Sequence, residues 1–406
     1  MGTPQTPYEA VLHAARDVAK LDNALDAEML GAALLGSVYS VAETERDAAV
    51  RDFVAGFLAA TSRRRSAAAT TIRSVFAALV PDAEGAGRVR PGAATPAWAA
   101  QLGRVHLTGC WSYGDVYGDQ TSYLATFAYD DPASGSAHAV VTLLDHNIGI
   151  TKDVFVGGPP DRILDQVRQM CSGDELTWFR DEEPARMRAE VTRHLAITDG
   201  LTELPGEGSL ATDRALLGAR LALLPRAAGA APAPAEPLSA AERTDLVRRF
   251  LASPEAARFG LDAIDGAELA SLHFCLSLLL DHAASFPDAD PMRWSPTVAG
   301  LFLLDWVHRR AVLDMDDAAL LPRVLRAWAG YAARKRGLPE QAAAQTDTAI
   351  EEMVPEFARL YSTGERRSPA TAAVAQLMAD GVDPDDPAAL NAWIEANRHR
   401  LTDDPA

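Results

Sequence analysis

From Tyr8 to Val80 apolar side chains return at intervals of three and four, as in Val11, Ala14, Ala15 and Val18 and again in Phe53, Val54, Phe57 and Leu58. That period lines one face of a 3.6-residue helix, so residues 1–81 read as an N-terminal helical region. The stretch Asp82–Pro96, DAEGAGRVRPGAATP, breaks the period with glycine and proline and closes the region. After Trp98 the period drops to two. Short runs rich in Tyr, Thr, Val and Phe follow (RVHLTGCWSY, TSYLATFAYDD, AHAVVTLLDHN and ITKDVFV), separated by the strand-breaking GDVYGDQ, DPASGS and NIG. They predict a four-stranded, mostly antiparallel meander, with ELTWFRD available as a fifth strand. PPDRILDQVRQMC predicts a helix because proline is tolerated in a first turn, and PARMRAEVTRHLAITDG predicts another that ends on a glycine suited to the position after the helix. Residues 97–225 therefore read as an α+β domain whose sheet is covered by helices on one face.

The Ala/Pro segment Arg226–Pro237 reads as an extended linker, and everything after it is helical in pattern. Ser239 and Glu242 stand at capping-box spacing at the first helix start. Six or seven helices joined by short Pro or Gly turns predict a bundle over residues 238–406. The fold class is thus α+β: N-terminal helices, a small mostly antiparallel sheet with flanking helices, then an all-α bundle domain. The pattern leaves open whether the N-terminal helices pack on the sheet or on the bundle.

Composition narrows the function classes. The 406-residue chain is 48% hydrophobic and 23% charged, enough to bury ordinary cores, and its formal net charge of -18 repels a phosphate backbone over most of its surface. Nucleic-acid binding through Arg63, Arg64 and Arg65 or through Arg334, Lys335 and Arg336 is disfavoured on that ground. Cys110, Cys171 and Cys275 are odd in number and far apart, which suits neither a disulfide framework nor a metal knuckle and predicts a reduced, cytoplasmic protein. MGTPQTPYEAVLHAARDVAKLD lacks the apolar core of a signal peptide, and apolar runs such as Val298–Val307 are shorter than the roughly 20 residues of a bilayer span.

No P-loop, HExxH, GxSxG or kinase signature is present, and GEGSLA at Gly206–Ala211 follows ELP rather than a strand, so its glycines cannot place a pyrophosphate. The most reactive-looking stretch is LLDHNIGITKDVFVGG, which holds Lys152, one of only three lysines. A hairpin here gathers Asp145, His146, Lys152 and Asp153, which could serve as acid, base or anion holder, with Asp115, Asp119 or His106 assisting. The plainer alternative is a turn capped by His146 and Asn147, with Lys152 paired to Asp145 at the sheet edge. His138 and His146 lie eight residues apart on one strand, about 26 Å, too far to share a metal. Asp115 and Asp119 in YGDVYGD lack the ligand series of a calcium loop. His273 reads as a hydrogen-bonded core histidine, the tryptophans as packing residues, and Glu351, Glu352 and Glu356 lack the Glu-x-x-His of di-iron bundles. No metal or cofactor is expected.

Across GDVYGDQTSYLATFAYDD, LLDHNIGITKDVFV, WSPTVAGLFLLDWVHRR, LLPRVLRAWAGYAARKRGLP and GVDPDDPAALNAWIEANRHRL, the chain resembles an uncharacterised actinobacterial protein family. That family has a small β-containing segment followed by a helical C-terminal tail. The resemblance implies the same domain order in a bacterial protein and, since the family has no assigned activity, lends no catalytic residue. The expected function is a non-enzymatic protein–protein interaction or regulatory role with a protein partner; the alternative is an enzyme with a polar site at the Asp145–Asp153 turn.

Overall fold

In the computed structural model the described residues are 6–92, 94–205, 208–226, 235–266, 268–382 and 386–402, without the side chains of 398–402. Gly206 and Glu207 of GEGSLA and most of the Arg226–Pro237 linker lie outside them. The chain divides into two compact units, Met1–Pro232 and Ala233–Ala406.

In the first unit α1 (Pro7–Ala14), α2 (Ala24–Val41), α3 (Arg46–Thr61) and α4 (Ala67–Leu79) precede β1 (Val105–Asp115), β2 (Gln120–Tyr129), β3 (His138–Asp145) and β4 (Ile150–Gly157). Then come α5 (Pro160–Ser172), β5 (Thr177–Asp181), α6 (Pro184–Asp199) and α7 (Leu210–Leu221). At α2 and α4 a polar side chain takes up an otherwise unpaired N–H: Asn23 accepts from the Asp26 amide, and Ser66 from the Ala69 amide. The strand order is β4-β3-β2-β1-β5, with every neighbouring pair antiparallel. The meander and its fifth strand are those the alternation predicts, and the fold is α+β.

One expectation is corrected: helices cover both faces of the sheet. Tyr123, Ala125, Phe127, Val140 and Val154 share a core with α2, α4, α6 and α7, while Trp111, Tyr113, Leu124, Val141 and Phe179 pack on Ile163, Val167 and Cys171 of α5. β2 is buried along most of its length, as a strand between two helical layers must be. Leu35, Phe57, Ile72 and Phe76 belong to the same core, so the N-terminal helices pack with the sheet. A Cβ on Gly36 would stand 2.5 Å from the Ala211 carbonyl oxygen, so the close crossing of α2 and α7 admits only glycine there. By length and composition α2 could cross a membrane, yet half of it is buried in this core.

The second unit contains α8 (Ala240–Leu251), α9 (Pro254–Arg258), α10 (Glu268–Ala284), α11 (Pro296–Leu301), a π-helical turn at Phe302–Trp306, α12 (Val307–Arg310), α13 (Met315–Arg336), α14 (Glu340–Thr363), α15 (Pro369–Ala379) and α16 (Pro387–Thr402). The Ser239–Glu242 capping box forms, and a second one, Asp314 with Asp317, opens α13. Trp294 and Trp328 both donate their indole N–H to the Pro291 carbonyl, at 3.0 and 3.1 Å, filling both of its lone pairs. His273 is exposed, contrary to its expected place in the core. The buried stripe of α10 runs through Leu272, Cys275, Leu276 and Leu279, and its histidine is His282, ringed by Phe286, Trp294, Phe302 and Trp306.

Candidate functional site

The turn between β3 and β4 brings only part of the nominated cluster together. Asp145 is nearly buried; its carboxylate accepts from the Asn147 amide at 3.0 Å and the Gln120 amide group at 3.3 Å, and Lys152 Nζ lies 3.8 Å away. The ladder slips a residue between Leu143 and Leu144, pairing them with Asp153 and Thr151, so Lys152 is left without a cross-strand partner. The His146 backbone N–H donates to the Asp119 carbonyl, its Nε2 lies 2.9 Å from Thr121 Oγ1, and its ring packs edge-on against His194. Asp153 turns instead to α7, where its carboxylate accepts from the Ser209 amide at 2.8 Å. The four side chains thus join three separate sets of contacts. Of the assisting residues, Asp115 accepts from the amides of Asp119 and Gln120 and closes the β1–β2 turn, while His106 Nδ1 lies 3.3 Å from Asp130.

The sequence reading did not nominate the residues that carry the heaviest polar contacts. Glu28 of α2 and Arg220 of α7 form a fully buried ion pair. Glu28 also accepts from Tyr129 Oη at 2.7 Å and from the Gly103 amide at 2.7 Å, and Arg220 Nε donates to His138 Nε2 at 3.0 Å. His138 Nδ1 therefore carries the proton and donates to the Ser136 carbonyl at 3.1 Å. Burial, then the Arg220 charge, pulls the His138 imidazole down to about 4, which keeps it neutral.

Near α2, α3, α6 and α7 a cleft of about 520 Å³ is lined by Tyr39, Asp47, Arg51, Arg188, Asp199 and Arg214 among others. Tyr39 donates to Asp199 at 2.5 Å, and Arg214 reaches both Asp47 and Asp199 at 3.0 Å. Arg46 fixes the chain beyond α6 by donating to the carbonyls of Asp199, Leu201 and Thr202. Burial, then its bond to Asp199, pushes the Tyr39 phenol far above its ordinary range. The phenol is thus a fixed donor and the guanidinium groups are permanent cations, which suits holding a polar ligand better than moving protons at neutral pH.

One carboxyl does titrate near neutrality. Asp213, in the first turn of α7, is raised to about 6 by burial and by the nearby Asp153, against the Val156 amide that it accepts at 3.3 Å. The folded state therefore holds a proton that the unfolded chain has released, and stability falls as pH rises from about 4 to about 6. Asp213→Asn keeps an acceptor for Val156 and removes the charge. It is expected to flatten that slope and to gain on the order of 1 kcal/mol at pH 7, after discounting for partial solvent screening. Melting temperatures between pH 4.5 and 7.5 check it; parallel profiles for variant and wild type would count against it.

No known protein family, curated protein or solved structure matches the chain. In the second unit α15, PATAAVAQLMA, carries no charged residue, in a chain where 23% of residues are charged. It is tied down at its start, where Ser368 and Thr371 hydroxyls donate to the Arg309 carbonyl at 2.9 and 2.6 Å. Only Thr371 and Leu377 of α15 are buried; Val374 and Met378 stand 45% and 52% exposed, and Ile394 of α16 is 39% exposed. Trp393 bridges the two helices through its indole N–H, which donates to Asp380 at 2.8 Å.

Proposed function

We propose that this chain is a non-enzymatic interaction protein with a regulatory role in a bacterial cytoplasm, and that it docks a second copy of itself through the α15–α16 hairpin. The uncovered apolar face of α15 carries the proposal. An 11-residue helix is too short to persist without packing, and covering the still-exposed part of Val374, Met378 and Ile394 is worth about 0.5–1.5 kcal/mol each. The occupant is argued from charge: α15 itself carries none, so two copies of a chain of net charge -18 can meet along it without setting carboxylate against carboxylate, while Glu395 keeps the contact on the α15 side of the hairpin. The exposed Ala370, one turn before Val374 on the same face, permits a close helix crossing, and a two-fold axis uses the same patch on both chains.

The double variant Val374→Asp/Met378→Asp places two carboxylates on that face. It is expected to convert a dimer to a monomer in size-exclusion chromatography with light scattering, with the far-ultraviolet circular dichroism unchanged. A variant that stays dimeric would sink the assignment of the surface, and a wild-type chain that binds only a different protein there would sink the choice of occupant.

A further inference from the structure

Among the clefts of the first unit, one gathers positive charge. About 650 Å³ in volume, it lies beside α3 and α4, with Arg65, Arg73, Arg88 and Arg90 on its walls and Glu84 as the one acidic lining residue. In an acidic chain this clustering works against the rest of the surface field. Arg73 is fixed in place: it is buried, and its guanidinium donates to the Thr61 carbonyl at 2.6 Å and the Arg64 carbonyl at 3.1 Å. Arg90 donates to the carbonyls of Gly87 and Val89 at 2.7 and 2.8 Å. Arg65 and Arg88 are exposed, and among the described residues their guanidinium groups make no hydrogen bond or ion pair. Burial, then the charge of Arg65, holds the Arg73 guanidinium below its usual range. Ala55, Leu58, Ala59 and Val89 give the same cleft an apolar side, with the Ser62 and Thr70 hydroxyls at its edge.

We propose that this cleft binds a small organic phosphate of mononucleotide size. Guanidinium forks match the oxygens of a phosphate and pair with them through two parallel hydrogen bonds, the unpartnered Arg65 and Arg88 supply the free forks, and the apolar side takes the body of the ligand. The volume lies within the range of small-molecule sites. The proposal goes beyond the hairpin contact and gives the regulatory role a chemical input.

Isothermal titration of the full-length chain with pyrophosphate, with AMP and with citrate, at about 50 mM salt, tests it. The expected result is binding of pyrophosphate and AMP with Kd below roughly 1 mM, weakened at least about tenfold in Arg65→Ala/Arg88→Ala and unchanged in the distant control Arg16→Ala. AMP binding at least as tight as pyrophosphate binding supports the organic body; binding of pyrophosphate without AMP would overturn it. Both exposed arginines can be removed without cost to folding, so the melting temperature of the double variant should equal or exceed that of the wild type. Binding of neither phosphate, equal binding by the double variant, or citrate binding as tight as pyrophosphate binding would each overturn it.

Discussion

Replacing Arg220 with methionine is expected to cost the first unit about 3–5 kcal/mol, because it strands the Glu28 carboxylate in a fully buried site. Tyr129 Oη and the Gly103 amide still donate to that carboxylate, but hydrogen bonds from neutral donors do not neutralise a charge held out of water. Adding Glu28→Gln should recover about 1–3 kcal/mol, since the amide keeps an acceptor for Gly103 and a polar contact for Tyr129 while removing the charge. Urea denaturation supplies the energies, and hydrogen exchange should place the loss in α2, α7 and the neighbouring β2 and β3, which the network ties together. Two single variants each costing less than about 1 kcal/mol would show that the pair is not as desolvated as the structure shows it.

Trp328→Ala is the corresponding change in the second unit, with an expected loss of about 3–5 kcal/mol. The indole is completely buried, lies 4.9 Å from the Phe250 ring in an edge-on arrangement, and donates to the Pro291 carbonyl at 3.1 Å. The cavity dominates that cost, because Trp294 continues to donate to Pro291 when Trp328 is gone. Trp328→Phe retains most of the ring and should cost about 1–2 kcal/mol. Denaturation midpoints that rank phenylalanine as damaging as alanine would instead make the hydrogen bond the larger contribution.

The sheet was legible in the sequence because its information is local. Alternating apolar residues in AHAVVTLLDHN and ITKDVFV, broken by Asn147 and Gly149, specify strands and a turn without reference to the rest of the chain. Ser239 and Glu242 likewise announce their helix within four residues. The Glu28–Arg220 pair is different: its partners lie 192 residues apart, and neither stands in a motif. A signal existed in the burial pattern, since Glu28 falls on the stripe of α2 that also holds Leu25, Ala32 and Leu35, and Arg220 falls beside Leu216, Leu217 and Leu221 of α7. A charge on an apolar stripe requires a buried partner, although the stripe cannot name it. The Asp145–Asp153 region shows the converse limit. Composition drew four reactive side chains into one stretch, but the slipped register at Leu143–Leu144 and the docking of Asp153 onto Ser209 depend on pairing and helix placement that residue types do not encode. The basic cleft was half legible: Arg65 stood out in its run, whereas Arg73, Arg88 and Arg90 join it only through folding.

Self-association through the hairpin is the central claim, and native mass spectrometry of the untagged full-length chain over a range of concentrations tests it most directly. The expected spectrum shows a species of two 43.3 kDa chains whose share grows with concentration and vanishes in Val374→Asp/Met378→Asp. A single 43.3 kDa chain at every concentration would contradict it.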